Sequence, residues 1–363
     1  MNARLISIGT AVPRYAITQE DSALMAGQIS RATAEHSRVV TALYRRASIQ
    51  HRGSVLLENG RADGRLGQTF FPSATSAEDR GPGTDARSRR YLEEAPALAV
   101  SASVRALAAA GLQAGQVTHL VTVSCTGFAA PGVDAALIDA LALTRSVERT
   151  HVGFMGCHGA INGLRVARAF AHGDPEARVL VCAVELCSLH FHYAPDPEKV
   201  VANAIFADGA AAAVIAGGGG GPPSRQLSDV GSFLVPGSAE AMTWRIGDHG
   251  FEMTLSARVP SLISSHLRNW LVAWLATKGL ALDDVESWAV HPGGPRVLST
   301  VGACLELPPE ALIESRRVLA EHGNMSSPTI LFILERVLRC SKGGPCVAMA
   351  FGPGLCIEAA LIR

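Results

Sequence analysis

The chain has 363 residues, of which 48% are apolar and 18% are charged, so it can bury a large interior and shows little sign of disorder. Lys plus Arg and Asp plus Glu number 32 each, and this balance gives no net field that would favour nucleic acid or an anionic membrane. Any anionic ligand must therefore be held by a local basic patch.

The N-terminus, "MNARLISIGTAVPRY", enters a short apolar strand without a signal-peptide pattern. No apolar run reaches the roughly 18 residues that a membrane helix needs. The eight cysteines stand in apolar or small-residue surroundings, which is not the pattern of a short disulfide framework. We therefore expect a cytoplasmic protein with reduced thiols and no membrane span.

The predicted elements alternate along the chain. Residues 55–90 are polar and rich in Gly, Ser, Arg and Asp, which predicts a loop excursion with little potential for the core. "APALAVSASVRALAAAGL" then predicts a helix that stops at Gly111. "HLVTVSCTG" predicts a buried strand, "HGAINGLRVARAFAHG" a helix that ends at Gly173, and "ARVLVCAVEL" another buried strand. This alternation predicts an α/β layered fold.

A glycine run that begins at Gly217, "GGGGGPPS", marks the predicted junction between an N-terminal half (1–216) and a C-terminal half (225–363). Two weak echoes cross this junction. "FADGAAAAVIAG" resembles "FGPGLCIEAALIR", and "HLVTVSCTG" resembles "ESWAVHPGG". Two copies of one α/β unit would explain both echoes, although apolar strands that end in glycine also resemble one another by chance.

The stretch "GFMGCHGAINGL" places Cys157 between a glycine and a histidine at the start of a predicted helix. Most buried cysteines are inert core residues. Here Gly156 and Gly159 leave space around the sulfur, and the unpaired N–H groups of a helix N-terminus stabilise a thiolate. Cys157 is therefore a candidate nucleophile, with an inert core thiol as the alternative.

Two further polar residues stand on glycine-bearing turns. His291, in "WAVHPGGP", follows a predicted buried strand, and α/β folds place reactive side chains at the carboxyl ends of such strands. Asn324, in "EHGNMSSPT", offers an amide donor in a tight turn, although an ordinary turn asparagine before a serine N-cap would look the same. With Cys157 they form a Cys–His–Asn set.

Such a set serves two chemistries. A papain-like protease has its His and Asn about 130–150 residues after its Cys, and the interval from Cys157 to His291 falls in that range. The Cys-Gly-Ser-Cys-Trp signature is absent, however, and the expected reduced thiols argue against a protease of this kind. In thioester condensation the Cys takes an acyl group from coenzyme A, while His and Asn donate hydrogen bonds to an enolate oxygen.

Four motifs favour thioester condensation and indicate a particular family of enzymes. "GFMGCHGA", "HPGGP", "GNMSSP" and "AFGPGL" occur in the order and at the spacing of the type III polyketide synthases. The chain resembles this chalcone synthase-like family over nearly its whole length, and its bacterial members in particular. The resemblance implies a thiolase fold (αβαβα, two related halves), a homodimer, and malonyl-CoA and acyl-CoA thioesters as substrates, with no separate cofactor and no metal.

Residue roles follow from the same resemblance. It implies that Cys157 is the nucleophile and that His291 and Asn324 donate hydrogen bonds during decarboxylation and condensation. Phe206, in "IFADGAA", matches the gatekeeper phenylalanine between the coenzyme A tunnel and the cavity. The resemblance also implies a cavity serine, a glutamate that orders water, and a basic residue for coenzyme A phosphates: Ser326, Glu185 and Arg46.

The sequence departs from the plant members of the family at several positions. Met253 stands where those enzymes have a second gatekeeper phenylalanine, and Trp244 replaces a glycine. Ala42 and Val39 take the places of two further basic residues, so we expect coenzyme A phosphates to be held partly in a different way. Threonines of the plant enzymes are replaced by Cys125, Cys187 and His190.

These departures leave the product open. The flexible thioether of Met253 makes room for an alkyl chain, and Trp244 would favour an aldol closure, so we expect alkylresorcinol or alkylpyrone products from a fatty acyl starter. Cys125 equally supports a tetrahydroxynaphthalene synthase that uses malonyl-CoA alone. A catalytically inactive thiolase-fold interaction protein is a third possibility, which the complete Cys–His–Asn set disfavours.

A metal site is the remaining alternative for the polar residues. Four potential ligands fall within eleven residues: Cys182, Cys187, His190 and His192. Their gaps do not match a zinc ribbon or finger, and the two cysteines lie on or just after a predicted buried strand. We therefore predict no metal.

Overall fold

The computed structural model describes residues 3–59, 66–193, 196–218 and 224–363 of the chain. The strands are β1 (Arg4–Ala11), β2 (Ala16–Thr18), β3 (His51–Gly53), β4 (His119–Ser124), β5 (Glu148–Gly153), β6 (Arg178–Leu186), β7 (Asp208–Ala216), β8 (Arg225–Leu234), β9 (Met242–Gly247), β10 (Gly250–Leu255), β11 (Ser287–Val290), β12 (Cys346–Gly352) and β13 (Cys356–Ile362). The α-helices are α1 (Gln19–Ile29), α2 (Ala34–Arg46), α3 (Thr84–Ala110), α4 (Val133–Leu141), α5 (Gly159–Gly173), α6 (Pro197–Ile205), α7 (Val259–Ala276), α8 (Pro295–Leu305), α9 (Ile313–His322) and α10 (Thr329–Cys340).

Nine strands form a continuous mixed sheet in the order β11-β12-β13-β8-β1-β7-β6-β4-β5. This order consists of two similar groups that join where β1 pairs with β8. Each group starts with a strand and a long helix, β1 with α3 and β8 with α7, and ends with an antiparallel pair, β6–β7 or β12–β13. Repetition of one unit explains the sequence echoes, because β4 corresponds to β11 and β7 to β13. Residues 219–223 of the glycine run lie outside the described residues.

The buried side chains separate into layers because neighbouring residues of a strand point to opposite faces. Along β6, Leu180 and Val184 pack in the cluster that contains α3, whereas Val179 and Val181 pack in a central cluster with α5 and α10. The central cluster also includes one face of β12 and β13, whose other face packs on α7 and α8. The five layers αβαβα confirm the fold that the resemblance implies.

The polar segment 55–90 differs from its prediction as a loop with little core potential. Leu56, Phe71 and Ala74 are buried in the cluster that contains α3, and α3 itself begins at Thr84. The apolar residues of this segment follow neither a helical nor a strand period, so periodicity does not mark them. Residues 60–65 lie outside the described residues. The helix ends before Gly111, as predicted, with that glycine at a φ of 65°.

Two expectations from the sequence concern the cysteines and membrane-spanning helices. All eight cysteines are free in the structure. Among the helices of the described ranges, none has both the length and the apolar character to cross a bilayer.

An ion pair joins the central layer to the C-terminal half. Arg165 on α5 pairs with Glu358 on β13, a carboxylate that is 2% exposed. We expect Arg165→Met to lower the free energy of unfolding by about 1–3 kcal/mol, because it leaves a buried charge without its partner. In urea unfolding, Arg149→Met is the matched control, since its pair with Asp134 is more exposed and should contribute less than about 1 kcal/mol. Equal losses in the two variants would contradict this interpretation.

Candidate active site

A cavity of about 120 Å³ lies beside Cys157. Most of the side chains that the sequence singled out line this cavity. They are Cys157, Phe206, Met253, Cys125, Cys187, His190, Trp244 and Ser326.

Cys157 lies in a short 3-10 turn, Gly156–His158, that leads into α5. Gly156 has a φ of 66°, and a Cβ there would lie 2.5 Å from a ring carbon of Pro353, so only glycine fits before the cysteine. The thiol is 6% exposed, and burial raises the pKa of Cys157 to about 11. The sequence suggests a thiolate at a helix N-terminus, but in the structure desolvation outweighs that stabilisation. Other groups must therefore help the thiol to lose its proton.

Asn324 and Ser326 lie close enough to the thiol to lower the pKa of Cys157, against the larger effect of burial. The Asn324 Oδ1 atom accepts from the Ser326 backbone N–H at 2.8 Å, which leaves the amide NH₂ available as a donor. Ser326 has a φ of 56°, unusual for a residue with a side chain, and its Oγ atom lies 3.5 Å from Cys125 Sγ. The structure thus brings these sequence-predicted residues together around one sulfur.

His291 directly follows β11, and its backbone N–H donates to the Met349 carbonyl at 2.8 Å. Its ring is fully buried, and neither ring nitrogen has a hydrogen-bond partner among the described residues. Burial, with a smaller contribution from His158, lowers the pKa of His291 to about 3. His158 follows Cys157, and β12 packs against the same turn, so His291 lies at the Cys157 end of the sheet. A buried, unpartnered imidazole indicates a position kept for a ligand.

Glu185 is buried behind the cavity lining and connects two of its segments. The Oε2 atom accepts from the backbone N–H groups of Cys125 at 2.9 Å and Thr126 at 3.1 Å, and Oε1 accepts from Ser327 Oγ at 2.6 Å. Burial raises the pKa of Glu185, and these donors oppose that rise. Protein donors occupy its carboxylate and it does not line the cavity, and the water-ordering role that the resemblance implies stays a prediction.

His190 and Trp244 form one wall of the cavity, and Phe251 packs against both of them. His190 donates from Nε2 to the Thr126 carbonyl at 2.7 Å and accepts at Nδ1 from the Phe251 N–H at 2.9 Å. The ring is neutral, because burial lowers the pKa of His190 to about 3. It stacks on Phe251 with the ring centroids 4.3 Å apart, and Trp244 Nε1 donates to the Cys125 carbonyl at 2.6 Å. These contacts fix the hairpin β9–β10 over the cavity.

The cavity also extends into an apolar arm that the sequence reasoning missed. Its side chains come from α1, α2 and the segment after β3: Met25, Ala26, Ile29, Tyr44, Leu56 and Phe71. Two polar residues of this region have partners in the protein, since Gln68 exchanges hydrogen bonds with the Phe71 backbone and Asn203 with the His192 backbone. The available signal in the sequence is the apolar pair Leu56-Leu57 within a polar segment.

Arg46, His291 and Asn324 are not in the cavity lining, and the possible metal ligands do not form one cluster. Arg46 is exposed at the end of α2 and does not line it, so its contact with coenzyme A phosphates stays a prediction. The possible metal ligands diverge: Cys182 Sγ lies 3.7 Å from the Ala99 carbonyl, whereas His192 Nε2 is 3.1 Å from the Phe251 carbonyl. Within the part of the chain that the structure describes, no group of three or more His, Cys, Asp or Glu could hold a metal ion.

Cys157 is a buried thiol before the central helix α5, and Asn324 comes to it from the second half of an αβαβα fold. This arrangement is that of a condensing enzyme of the thiolase fold. The comparisons make this assignment specific. Residues 1–220 match the N-terminal domain of chalcone and stilbene synthases, and residues 226–363 match the C-terminal domain. The chain belongs to the chalcone and stilbene synthase family and is a type III polyketide synthase.

Relatives with different products resemble the chain. A 1,3,6,8-tetrahydroxynaphthalene synthase from Streptomyces peucetius subsp. caesius is 39% identical over 273 residues, which cover 74% of this chain and 72% of that protein. The alpha-pyrone synthesis polyketide synthase-like Pks18 from Mycobacterium tuberculosis is 31% identical over 364 residues, which cover 98% of this chain and 89% of that protein. The crystal structure of PKS-I from the brown alga Ectocarpus siliculosus has a TM-score of 0.91 at 31% identity, with 100% and 98% of the two chains covered.

The hydrogen bonds of Glu185 predict how much its side chain contributes to stability. Glu185→Ala should lower the free energy of unfolding by more than about 3 kcal/mol, because it leaves several buried donors unpaired. Glu185→Gln should lower it by only about 1 kcal/mol, since the amide oxygen can keep both backbone N–H groups while the Ser327 hydroxyl turns to accept from the new NH₂. Urea unfolding of both variants measures the difference.

The same substitution tests an electrostatic effect on the thiol. The carboxylate of Glu185 raises the pKa of Cys157, so its removal in Glu185→Gln should lower that pKa. We expect Cys157 to react faster with iodoacetamide at neutral pH in Glu185→Gln than in the wild type, as measured by the mass of the labelled peptide. An unchanged or slower reaction would show that the charge of Glu185 does not act on the sulfur.

Proposed function

We propose that the enzyme loads a fatty acyl group from acyl-CoA onto Cys157, extends it with malonyl-CoA, and closes the chain to an alkylresorcinol or alkylpyrone. The observation that carries this proposal is the apolar arm. An aromatic or acetyl-sized starter would leave the apolar arm unfilled. An alkyl chain is stabilised when it moves from water into the arm.

In the loading step, the Cys157 sulfur attacks the acyl-CoA carbonyl, a new C–S bond forms, and coenzyme A leaves as its thiol. The neutral His291 ring takes the proton of Cys157 and returns it to the leaving thiolate. The raised pKa of Cys157 and the lowered pKa of His291 describe a resting site in which both are neutral. Proton transfer thus accompanies attack, while Asn324 and Ser326 stabilise the charge that develops on sulfur.

In the extension step, malonyl-CoA loses carbon dioxide and the resulting enolate attacks the thioester carbonyl on Cys157. The bond to sulfur breaks, and the extended β-ketoacyl-CoA reloads the cysteine for the next cycle. His291 and Asn324 donate hydrogen bonds to the enolate oxygen, where the negative charge accumulates. This role suits an imidazole that has no hydrogen-bond partner among the described residues and an amide whose oxygen, and not its NH₂, is used by the Ser326 backbone.

A second candidate is a tetrahydroxynaphthalene synthase that uses malonyl-CoA alone. Two observations favour it: Cys125 lines the cavity, and a relative with that activity is 39% identical over three quarters of the chain. The apolar arm favours the fatty acyl reading, because a chain built only from malonyl units is polar at every second carbon.

Starter specificity separates the two candidates. Purified enzyme receives malonyl-CoA alone and then malonyl-CoA with acyl-CoA starters of increasing length, and the products are identified by mass. We expect alkyl-substituted tri- and tetraketides that carry the starter chain. A pentaketide naphthol formed without a starter, and unaffected by added acyl-CoA, would reject the fatty acyl proposal and support the second candidate.

The catalytic assignments predict separable losses. Cys157→Ala should abolish the acyl-enzyme adduct that is visible by intact-protein mass spectrometry, whereas Cys187→Ala, at another buried cysteine of the cavity, should retain it. His291→Ala and Asn324→Ala should each lower malonyl-CoA decarboxylation by about 100-fold or more and acyl loading by less, because the enolate carries more charge than the thioester. An acyl adduct on Cys157→Ala would contradict the assignment of Cys157 as the nucleophile.

The proposal also includes a homodimer and a basic contact to coenzyme A. Phe128 and Met155 are 55% and 38% exposed, and an aromatic contact between Phe128 and Phe154 connects them. An apolar patch of this kind beside the Cys157 turn fits a contact with a second copy of the chain. Arg46 and its neighbour Arg45 remain the candidates for the coenzyme A phosphates.

A further inference from the structure

Arg52 is a buried charged residue that the proposed reaction steps do not use. It lies on β3, is 8% exposed and belongs to the cavity lining. Its Nη1 atom donates to the carbonyls of Asn203 and Phe206 at 2.6 Å each, and Nη2 donates to Ser22 Oγ. Burial of a guanidinium costs free energy, so these bonds need an explanation.

The two carbonyls belong to the end of α6. Asn203 lies in the last turn of this helix and Phe206 directly follows it, where carbonyl groups have no partner within the helix. A cationic donor at a helix C-terminus satisfies such carbonyls and is stabilised by the helix dipole. Arg52 therefore fixes the point at which the chain leaves α6 and brings the Phe206 side chain to the cavity.

The same stretch of backbone holds Asn324. The Asn324 N–H donates to the Ile205 carbonyl at 2.8 Å, and the Ala207 N–H donates to the Asn324 carbonyl at 2.9 Å. Phe206 lies between these two hydrogen bonds, which form a bridge from the end of α6 to Asn324. Because Arg52 donates to the Phe206 carbonyl, it is bonded to the centre of this bridge.

The aliphatic stem of Arg52 also packs on the turn before Asn324. A Cβ at Gly323 would lie 3.0 Å from Arg52 Cγ and 3.2 Å from Cδ, and this glycine has a φ of 72°. The turn therefore favours glycine, and the stem of Arg52 limits how far the turn can move. One side chain contacts both segments that meet at the bridge.

We propose that Arg52 is a positioning residue for the decarboxylation of malonyl-CoA and that it acts through the backbone bridge at Phe206 to fix the Asn324 amide. This inference rests on the proposed role of Asn324 in stabilising the enolate. A donor of this kind must lie within about 0.5 Å of its productive position. A small displacement of Asn324 would therefore remove much of its effect on the rate.

Loss of the guanidinium should slow decarboxylation without weakening the binding of malonyl-CoA. In Arg52→Met an apolar stem still packs on Gly323, but the donors are gone. We expect kcat for the release of labelled carbon dioxide from malonyl-CoA to fall about tenfold, while KM changes by less than about twofold. Arg52→Lys should lose less, because an ammonium group can still donate to main-chain carbonyls.

A double substitution separates positioning from a general loss of structure. If Arg52 acts through Asn324, Arg52→Met should lower the residual kcat of Asn324→Ala by less than about twofold. Arg168→Met is the matched control, since this partly buried arginine also donates to main-chain carbonyls, those of Leu227 and Ser228, but does not line the cavity. It should lower the thermal midpoint and leave kcat unchanged.

The outcomes separate the inference from the proposed function. If Asn324→Ala leaves decarboxylation unchanged, the proposed role of Asn324 fails and the inference fails with it. An equal loss from Arg52→Met with and without the Asn324 amide would overturn the inference alone, as would a normal kcat in folded Arg52→Met. Arg52 Nε has no partner among the described residues, so a rise in KM at constant kcat would indicate direct substrate binding and would also overturn it. Should the thermal midpoint show that Arg52→Met does not fold, Arg52→Lys replaces it in the double substitution.

Discussion

One buried carboxylate holds together the two halves of the catalytic pocket. Glu185 projects from the N-terminal β6, binds the backbone of Cys125 and Thr126, and reaches the Ser327 hydroxyl in the C-terminal half. A charged group is stable there because donors surround it on both sides of the boundary. The Cys157 turn and the Asn324 turn come from different copies of the repeated unit. Their relative position therefore depends both on hydrogen bonds across the boundary, such as the one from Ser327 to Glu185, and on the packing of α5 against α10.

Burial governs the chemistry of the pocket through the protonation states that it favours. It raises the pKa of Cys157 and lowers those of His291 and His190, so that all three groups are neutral before substrate binds. For His190 the neutral ring is also required by geometry, since its Nδ1 atom accepts from a backbone N–H and could not do so with a proton. Within the described ranges His291 has no such bond, so His190 is held in place by the protein whereas both ring nitrogens of His291 are unused by it.

The sequence predicts most of the fold and most of the pocket, for identifiable reasons. The strands β4 and β6 are buried and mostly apolar, α3 and α5 end at glycines, and the motifs around Cys157, His291 and Asn324 are short and local. The apolar arm could not be predicted, because Leu56 and Phe71 lie in a polar segment without periodicity and become apolar surface only when α1 packs beside them. The partners of Glu185 could not be predicted either, since they come from two segments that are far apart in the sequence.

The burial of the Cys157 sulfur has a consequence for any thioester that forms on it. Because the residue is 6% exposed and lies against the cavity lining, such a thioester would be screened from most of the bulk solvent and would meet groups of its own chain more often than water. Intramolecular reaction would then compete well against hydrolysis, which would release a linear acid. The screening would thereby preserve a reactive intermediate until the next step consumes it.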